Sequence, residues 1–281
     1  MTVNLGQPGF KTMPSDEQLA LMNRDLHFHP CQNQNPQNLT SQQIDQFNNK
    51  GYVKGIRALD DKLISEHRRY LDAMLADVLA RGESSYSIIS AHMKSGKIYD
   101  LVSHPNIVGC VTDVLGGNVI CWGAHFFCKM PHDNKQVSWH QDASYWPLTP
   151  SKTVTVWLAI DDADVKNGCM QFIACSHQGG HLPFEHAAEE ENSVLRQKVA
   201  GAESMGERVD VELKAGEMSL HTDLLLHGSK SNSSDRRRCG LTLRYCAADV
   251  RSLLDWQSEG IIVSGKDVSG HWANPPRPPN D

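Results

Sequence analysis

The 281-residue sequence has no CxxC pair, no excess of basic residues, no long apolar run and no internal repeat. Each absence removes a class of function. Eight cysteines stand at 31, 110, 121, 128, 169, 175, 239 and 246, but without a CxxC spacing they indicate neither a zinc ribbon nor a thioredoxin-type site. Several lie inside apolar, strand-like stretches, and the chain shows no secretory-type leader. They are therefore expected to be reduced and mostly packed as small hydrophobes in a cytoplasmic protein. With 27 Lys and Arg against 33 Asp and Glu, the net charge of -6 argues against nucleic acid as the main partner, because phosphate binding needs a basic surface. No run reaches the roughly 18 apolar residues a spanning helix requires, so no membrane partner is expected.

What is present is ordinary globular material, 40% hydrophobic and 21% charged, enough to bury a real core. Residues 1–39 are polar, rich in Asn, Gln and Pro, and read as an N-terminal arm, either a tail or a surface wrap. Thr40 with Gln43 forms a capping box for a helix ending near Gly51, and "GYVKGI" reads as a short strand. Asp60 or Asp61 caps a long helix whose apolar residues, Leu63 to Leu79, recur with a 3.6-residue period. Another helix starts at His104-Pro105 and stops at Gly116-Gly117. From Asn118 the texture changes to β-branched and aromatic runs such as "NVICWGAHFFCKM", "TVTVWLAID" and "GLTLRYCAA".

This pattern predicts a mostly β protein with N-terminal helices (α+β), its strands closed as a jelly roll. One domain is expected over 1–281: the arm, a helical buttress at 40–117, a jelly-roll core at 118–250 and a C-terminal extension at 251–281. Within the core, 178–215 is polar, charged and helix-prone, and reads as a surface insertion near the barrel mouth. The last ten residues, "WANPPRPPND", read as an irregular tail.

Fourteen histidines make a lone His-x-Asp weak evidence, and the chain contains two, His140-Gln141-Asp142 and His221-Thr222-Asp223. On an extended strand, residues i and i+2 face one way, so His140 and Asp142 can hold one metal together. A facial Fe(II) site needs a second imidazole from another strand. His227, in "LLLHGSKSN", supplies it after an apolar run and before a Gly-Ser turn. Using His221 and Asp223 instead would crowd three ligands into one short stretch and leave the aromatic segment around His140 without a role.

"VSWHQDASYWPL", "TVTVWLAIDD", "NGCMQFIACSH" and "LLLHGSKSNSSDRRRCGLTLRY" together resemble the phytanoyl-CoA dioxygenase family of Fe(II)- and 2-oxoglutarate-dependent oxygenases, over roughly residues 41–250. The resemblance implies a double-stranded β-helix, a cupin-like jelly roll, with helices against one sheet. It implies His140, Asp142 and His227 as iron ligands and Arg238, eleven residues past His227, as partner of the far carboxylate of 2-oxoglutarate. A guanidinium fork suits that task better than an ammonium. Arg236 and Arg237 compete for the role but read as solvated turn residues. Ser229, Trp157 and His125 fall at positions that touch the cosubstrate. The family often has a Pro-Gly-Ser-His turn, replaced here by Ala174-Cys175-Ser176-His177, which is not a ligand position.

The implied reaction uses O2 and 2-oxoglutarate to hydroxylate an unactivated C–H bond of a small-molecule metabolite, releasing succinate and CO2. The carboxylate Asp142 favours hydroxylation over chlorination, since halogenating relatives lack it. Two other classes remain open from the residues: a zinc hydrolase using the same two histidines and carboxylate, and a non-catalytic cupin-like binding protein. Tyr145 and Trp146 are expected to wall the pocket mouth. His92 is a candidate to face the site. Lys129, His132, Lys135, His181 and His186 are candidates for an anionic substrate, with a solvated rim as their commoner fate. Arg244 shares the strand face of Arg238 and either points inward or makes a buttressing salt bridge.

Overall fold

Two capping boxes open the first helices of the computed structural model, which describes residues 13–188 and 191–281. Ser15 and Gln18 cap α1 (Asp16–Leu21), and Thr40 and Gln43 cap α2 (Ser41–Lys50) in the same reciprocal way. Gly51 ends α2 in the left-handed region (φ 86°), and a Cβ there would lie 2.7 Å from His177. After β1 (Tyr52–Arg57), Asp60 caps α3 (Asp61–Ala80). The short α4 (Gly96–Val102), capped by Ser95, has no counterpart in the sequence reading. α5 (Pro105–Leu115) begins with its proline and stops before Gly116.

The strands follow in an antiparallel arrangement. β2 (Val119–Lys129), β3 (Val137–His140), β4 (Leu148–Thr149), β5 (Thr153–Ala159) and β6 (Met170–Ile173) come first. Next are the hairpin β7 (Glu185–His186) and β8 (Gln197–Lys198), then β9 (Arg208–Val211), β10 (Glu217–Thr222) and β11 (His227–Ser229). The set closes with β12 (Arg238–Ala247), β13 (Arg251–Ser252) and β14 (Ile261–Ser264). A six-stranded sheet runs β1-β10-β5-β12-β2-β14 and a four-stranded sheet β3-β11-β6-β9. This is the expected jelly-roll core, with the helices against the larger sheet.

Strand parity divides the large sheet into two chemistries. Cys239, Leu241, Leu243 and Tyr245 of β12, with Val154, Val156 and Leu158 of β5, join one apolar core with Phe47, Leu71, Leu101 and Val111 of the helices. Each such side chain contributes about 1.5–3 kcal/mol through burial. The alternate residues, Arg238, Thr242 and Arg244 of β12 and Thr155 and Trp157 of β5, line a cavity on the other face.

Two expectations change, and one open alternative is decided for its described residues. The segment 178–215 holds no α-helix among its described residues; Gly180, Pro183, Gly201 and Gly206 interrupt it, and its last part, β9, belongs to the small sheet. The C-terminal extension contributes β14 to the edge of the large sheet, and the irregular tail is tied down by buried Trp272 and by Arg277 paired with Asp100 (2.8 Å). The described part of the arm, 13–39, wraps the surface: the Asp113 carboxylate accepts backbone N–H bonds from Gln37, Asn38 and Leu39. Arg24 donates to the carbonyls of Ala143 (2.9 Å) and Trp146 (2.8 Å).

All eight cysteines are free; six are buried, Cys31 is half-buried and Cys175 exposed. Among the described residues no helix is long and apolar enough to cross a membrane.

Candidate active site

The cavity lies between the two sheets, with His140, His227, Ser229 and Met170 entering from the small sheet and His125, Trp157, His221 and Arg238 from the large one. Antiparallel pairing sets His227 of β11 directly opposite His140 of β3, across the 87 residues that separate them in sequence. Their rings lie 4.1 Å apart. Asp142 Oδ1 is 3.8 Å from the Nε2 atoms of both His140 and His227. One donor atom from each of the three falls within 4.8 Å of the others, a grouping that could hold a metal ion.

The backbone prepares both imidazoles for that task. His140 Nδ1 donates to the Ser138 carbonyl (2.8 Å) and His227 Nδ1 to that of Leu225 (2.9 Å). A carbonyl only accepts, so each Nδ1 carries the proton and each Nε2 keeps its lone pair toward the cavity. Burial, then the neighbouring His227, pushes His140 down to about 3, so its ring is neutral at physiological pH. Burial opposes ionisation of Asp142, yet His227, Arg244, His140 and His221 outweigh it and hold the carboxyl below its ordinary value. Thr155 Oγ1 donates to Asp142 Oδ2 (2.9 Å) and orients the carboxylate.

One geometric premise is corrected. β3 ends at His140, and Asp142 opens a short 3₁₀ turn, Asp142–Ser144, rather than continuing the strand. Gln141, fully buried between the two, is the clamp that sequence reasoning missed. Its amide donates to the carbonyls of Gly180 (2.9 Å) and Leu224 (2.6 Å) and accepts from the Leu182 N–H (2.7 Å). Strand alternation puts position 141 opposite His140, and that was the available signal.

Arg238 is buried at 2% exposure, its guanidinium 5.5 Å over the Trp157 ring, and its Nε has no hydrogen-bond partner. Gly240 makes the stacking possible, because a Cβ at that position would collide with the Trp157 indole. Ser229 and Trp157 line the same cavity. So does His125, whose Nε2 donates to the Tyr86 carbonyl (3.0 Å); its Nδ1 is left as an acceptor, and burial, then Arg244, pushes its pKa down to about 3. Tyr145 and Trp146 also form part of the wall.

Other candidates fall elsewhere. His92 is buried against the C-terminal segment, with Nε2 on the Glu259 carbonyl (3.1 Å), and does not line the cavity. Arg236 and Arg237 are paired rather than solvated: Arg236 meets Asp164 (2.5 Å), and Arg237 bridges Asp161 (2.8 Å) and Asp72 (2.6 Å). Lys129 is buried, donating to the carbonyls of Lys135 and Lys230. His132 pairs with Asp235, His181 with Ser144 and His186 with Asp16, while Lys135 lies over Tyr86. None of these lines the cavity. His221 does, 3.8 Å from Asp142 Oδ2, although its Asp223 turns away to Ser151.

The donor set suits the metal that the resemblance implies: two imidazoles and one carboxylate grouped together, beside the buried Arg238, which has no counter-ion among the described residues. Comparison with known proteins agrees. A probable alpha-ketoglutarate-dependent hypophosphite dioxygenase from Stutzerimonas stutzeri is 29% identical over 189 residues, covering 65% of this chain and 63% of that relative. The chain likewise covers only 57% and 51% of two phytanoyl-CoA dioxygenases from Caenorhabditis elegans and Bos taurus. The solved structure of a non-heme monooxygenase, ThoJ, superposes with a TM-score of 0.71 at 26% identity, covering 84% of this chain and 88% of that one. The phytanoyl-CoA dioxygenase family model matches residues 36–240, which take in α2 to α5, β1 to β11, all three grouped donors and Arg238, and the chain belongs to that family.

Proposed function

We propose that the protein is an Fe(II)- and 2-oxoglutarate-dependent oxygenase that hydroxylates a C–H bond of a small metabolite, with His140, Asp142 and His227 as the iron ligands. The observation that carries the reading is one cavity holding both the His-Asp-His grouping and the buried, unpaired Arg238. Iron and 2-oxoglutarate, when bound, supply the activation of O2, with succinate and CO2 as the coproducts of substrate oxidation.

The chain's own residues bind, orient and exclude water. Arg238 takes the far carboxylate of the cosubstrate, and the Ser229 hydroxyl adds a donor. Trp157 keeps the guanidinium flat and dry. Neutral His125 presents an acceptor, so it cannot donate to a carboxylate; its part is to shape the cavity or to accept from a bound hydroxyl or water. Gln141 and Thr155 hold Asp142 in place. The indoles and Met170 line the rest, excluding water from the oxidant. A free volume of about 130 Å³, well under the ~300 Å³ at which drug-sized ligand pockets begin, supports a small substrate over a long acyl-CoA.

The test is anaerobic addition of Fe(II) and 2-oxoglutarate. A visible charge-transfer band is expected, together with succinate release once O2 and a substrate are supplied. Arg238→Gln should weaken 2-oxoglutarate binding about 30-fold or more, the usual cost of truncating a buried charge partner. Absence of the band in the wild-type protein, or turnover supported by Zn(II) without O2, would sink the proposal in favour of a hydrolase.

A further inference from the structure

Arg244 is a second cavity arginine that the iron and cosubstrate reading does not use. It sits six residues past Arg238 on the same face of β12, about 20 Å along an extended strand. Its guanidinium is stacked near two indoles, 5.6 Å from the Trp122 ring and 5.4 Å from that of Trp146. Its Nε is enclosed and has no hydrogen-bond partner. Among the described residues no carboxylate oxygen lies within 4.0 Å of it, whereas Arg236 and Arg237 on the preceding turn are both ion-paired.

Such an arrangement is costly unless something completes it. Arg244 is half-buried, and its enclosed Nε has lost hydration that no hydrogen bond or counter-charge among the described residues replaces. Asp142 attracts it from a distance but is committed to Thr155 and to the histidines. The stacking indoles fix the plane of the fork, leaving its N–H edge for a planar or tetrahedral oxyanion. Trp146 and Trp256 line the cavity beside it, and the other basic candidates, Lys129, His132 and His186, are engaged elsewhere.

We propose that Arg244 is the anchor of the primary substrate, and that this substrate is a small oxyanion, a carboxylate or a phosphonate, held at the opposite end of the cavity from the 2-oxoglutarate carboxylate on Arg238. The assignment rests on the oxygenase reading above. It makes the two arginines of one strand face a pair of anion subsites on either side of the His-Asp-His grouping.

The experiment uses wild-type protein loaded with Fe(II) and 2-oxoglutarate without O2, titrated with methylphosphonate and, separately, with acetate. Saturable change in tryptophan emission is expected from at least one probe, with the charge-transfer band retained, and the responding probe tells tetrahedral from planar anion. Arg244→Gln should weaken that probe about tenfold or more, and Arg244→Lys should restore part of the binding. Arg238→Gln should weaken 2-oxoglutarate and leave the probe within about twofold, as expected of separate, distant sites. Melting curves with and without Fe(II) identify a misfolded variant; should Arg244→Gln not fold, Arg244→Lys carries the test by a weaker but measurable loss.

Equal probe affinity in a folded Arg244→Gln protein overturns the assignment. So does loss of the band as the probe binds, which would place the anion on the metal or on Arg238, and so does failure of both probes to bind wild type. A wild-type protein without a band overturns the oxygenase reading instead, and the emission titration reads Arg244 separately.

Discussion

His140-Gln141-Asp142 and His221-Thr222-Asp223 have the same spacing, yet the fold gives them opposite fates. In the first, the strand stops at His140 and the next turn brings Asp142 back to within 3.8 Å of two imidazoles. In the second, β10 ends at Thr222, His221 enters the cavity, and Asp223 turns away to accept from Ser151 Oγ (2.5 Å) and Thr222 Oγ1 (3.2 Å). The electrostatics diverge with the geometry. Surrounding histidines and Arg244 keep Asp142 ionised, whereas burial raises Asp223 to about 6 despite its hydroxyl donors. The turn at the aspartate and the partner strand facing the histidine therefore separate a pair grouped as metal donors could be from an accident of spacing.

The comparison can be broken most sharply at the aspartates. Asp142→Ala is expected to lose Fe(II) affinity by more than the ~10–100-fold typical of outer-partner changes, while Asp223→Ala keeps it, both read by anaerobic calorimetry. Equal losses would erase the distinction. Gln141→Ala, which frees the residue between the ligands, should cost about 10–100-fold in Fe(II) affinity while leaving Arg238-dependent 2-oxoglutarate binding in place. An unchanged metal isotherm would show that the clamp serves stability alone.

Asp223 gives a pH signature. Its folded pKa, about 6, is above the usual carboxylate value, so between roughly pH 4 and 6 the native state binds more protons than the unfolded one. Stability then falls as pH rises through that window, by on the order of 3 kcal/mol, and stays lower above it. Asp223→Asn should flatten this decline in denaturant melts taken across the window; a parallel curve would assign the effect to another group. The smallest effect on the metal is expected at His221, whose two ring nitrogens are buried with no hydrogen-bond partner among the described residues. His221→Phe removes groups that cost about 1–3 kcal/mol each when unsatisfied, so a higher melting temperature with unchanged Fe(II) affinity is the expected outcome. Lost affinity would enlarge the metal-binding set.

Much of the fold is legible in the sequence because its signals are periodic. The caps at Thr40 and Asp60, the 3.6-residue stripe of α3 and the two-residue alternation of β5 and β12 place helices and sheet, and only the family resemblance turns the distance from His227 into a pointer to Arg238. The features that escape are aperiodic or depend on distant partners. α4 spans only seven residues, too few for a period to show. Asp142 leaves its strand because Ala143 bonds to Asp223, a residue eighty positions away. Lys129 and Arg237 look like surface charge until non-local carbonyls and carboxylates reach them. Parity places Arg244 on the right face, but parity cannot say whether an acid waits opposite.

The tightest tolerance around Arg238 is set by a residue with no side chain. Gly240 lies beneath the Trp157 indole, and the indole in turn carries the guanidinium of Arg238. A single added methyl group at position 240 would tip the ring, and through it the anion receptor, without altering any donor or acceptor. A side chain of any size at position 240 is therefore excluded where no polar chemistry is visible, and a chain bearing alanine there would have to reshape its tryptophan shelf before its arginine could lie as Arg238 does.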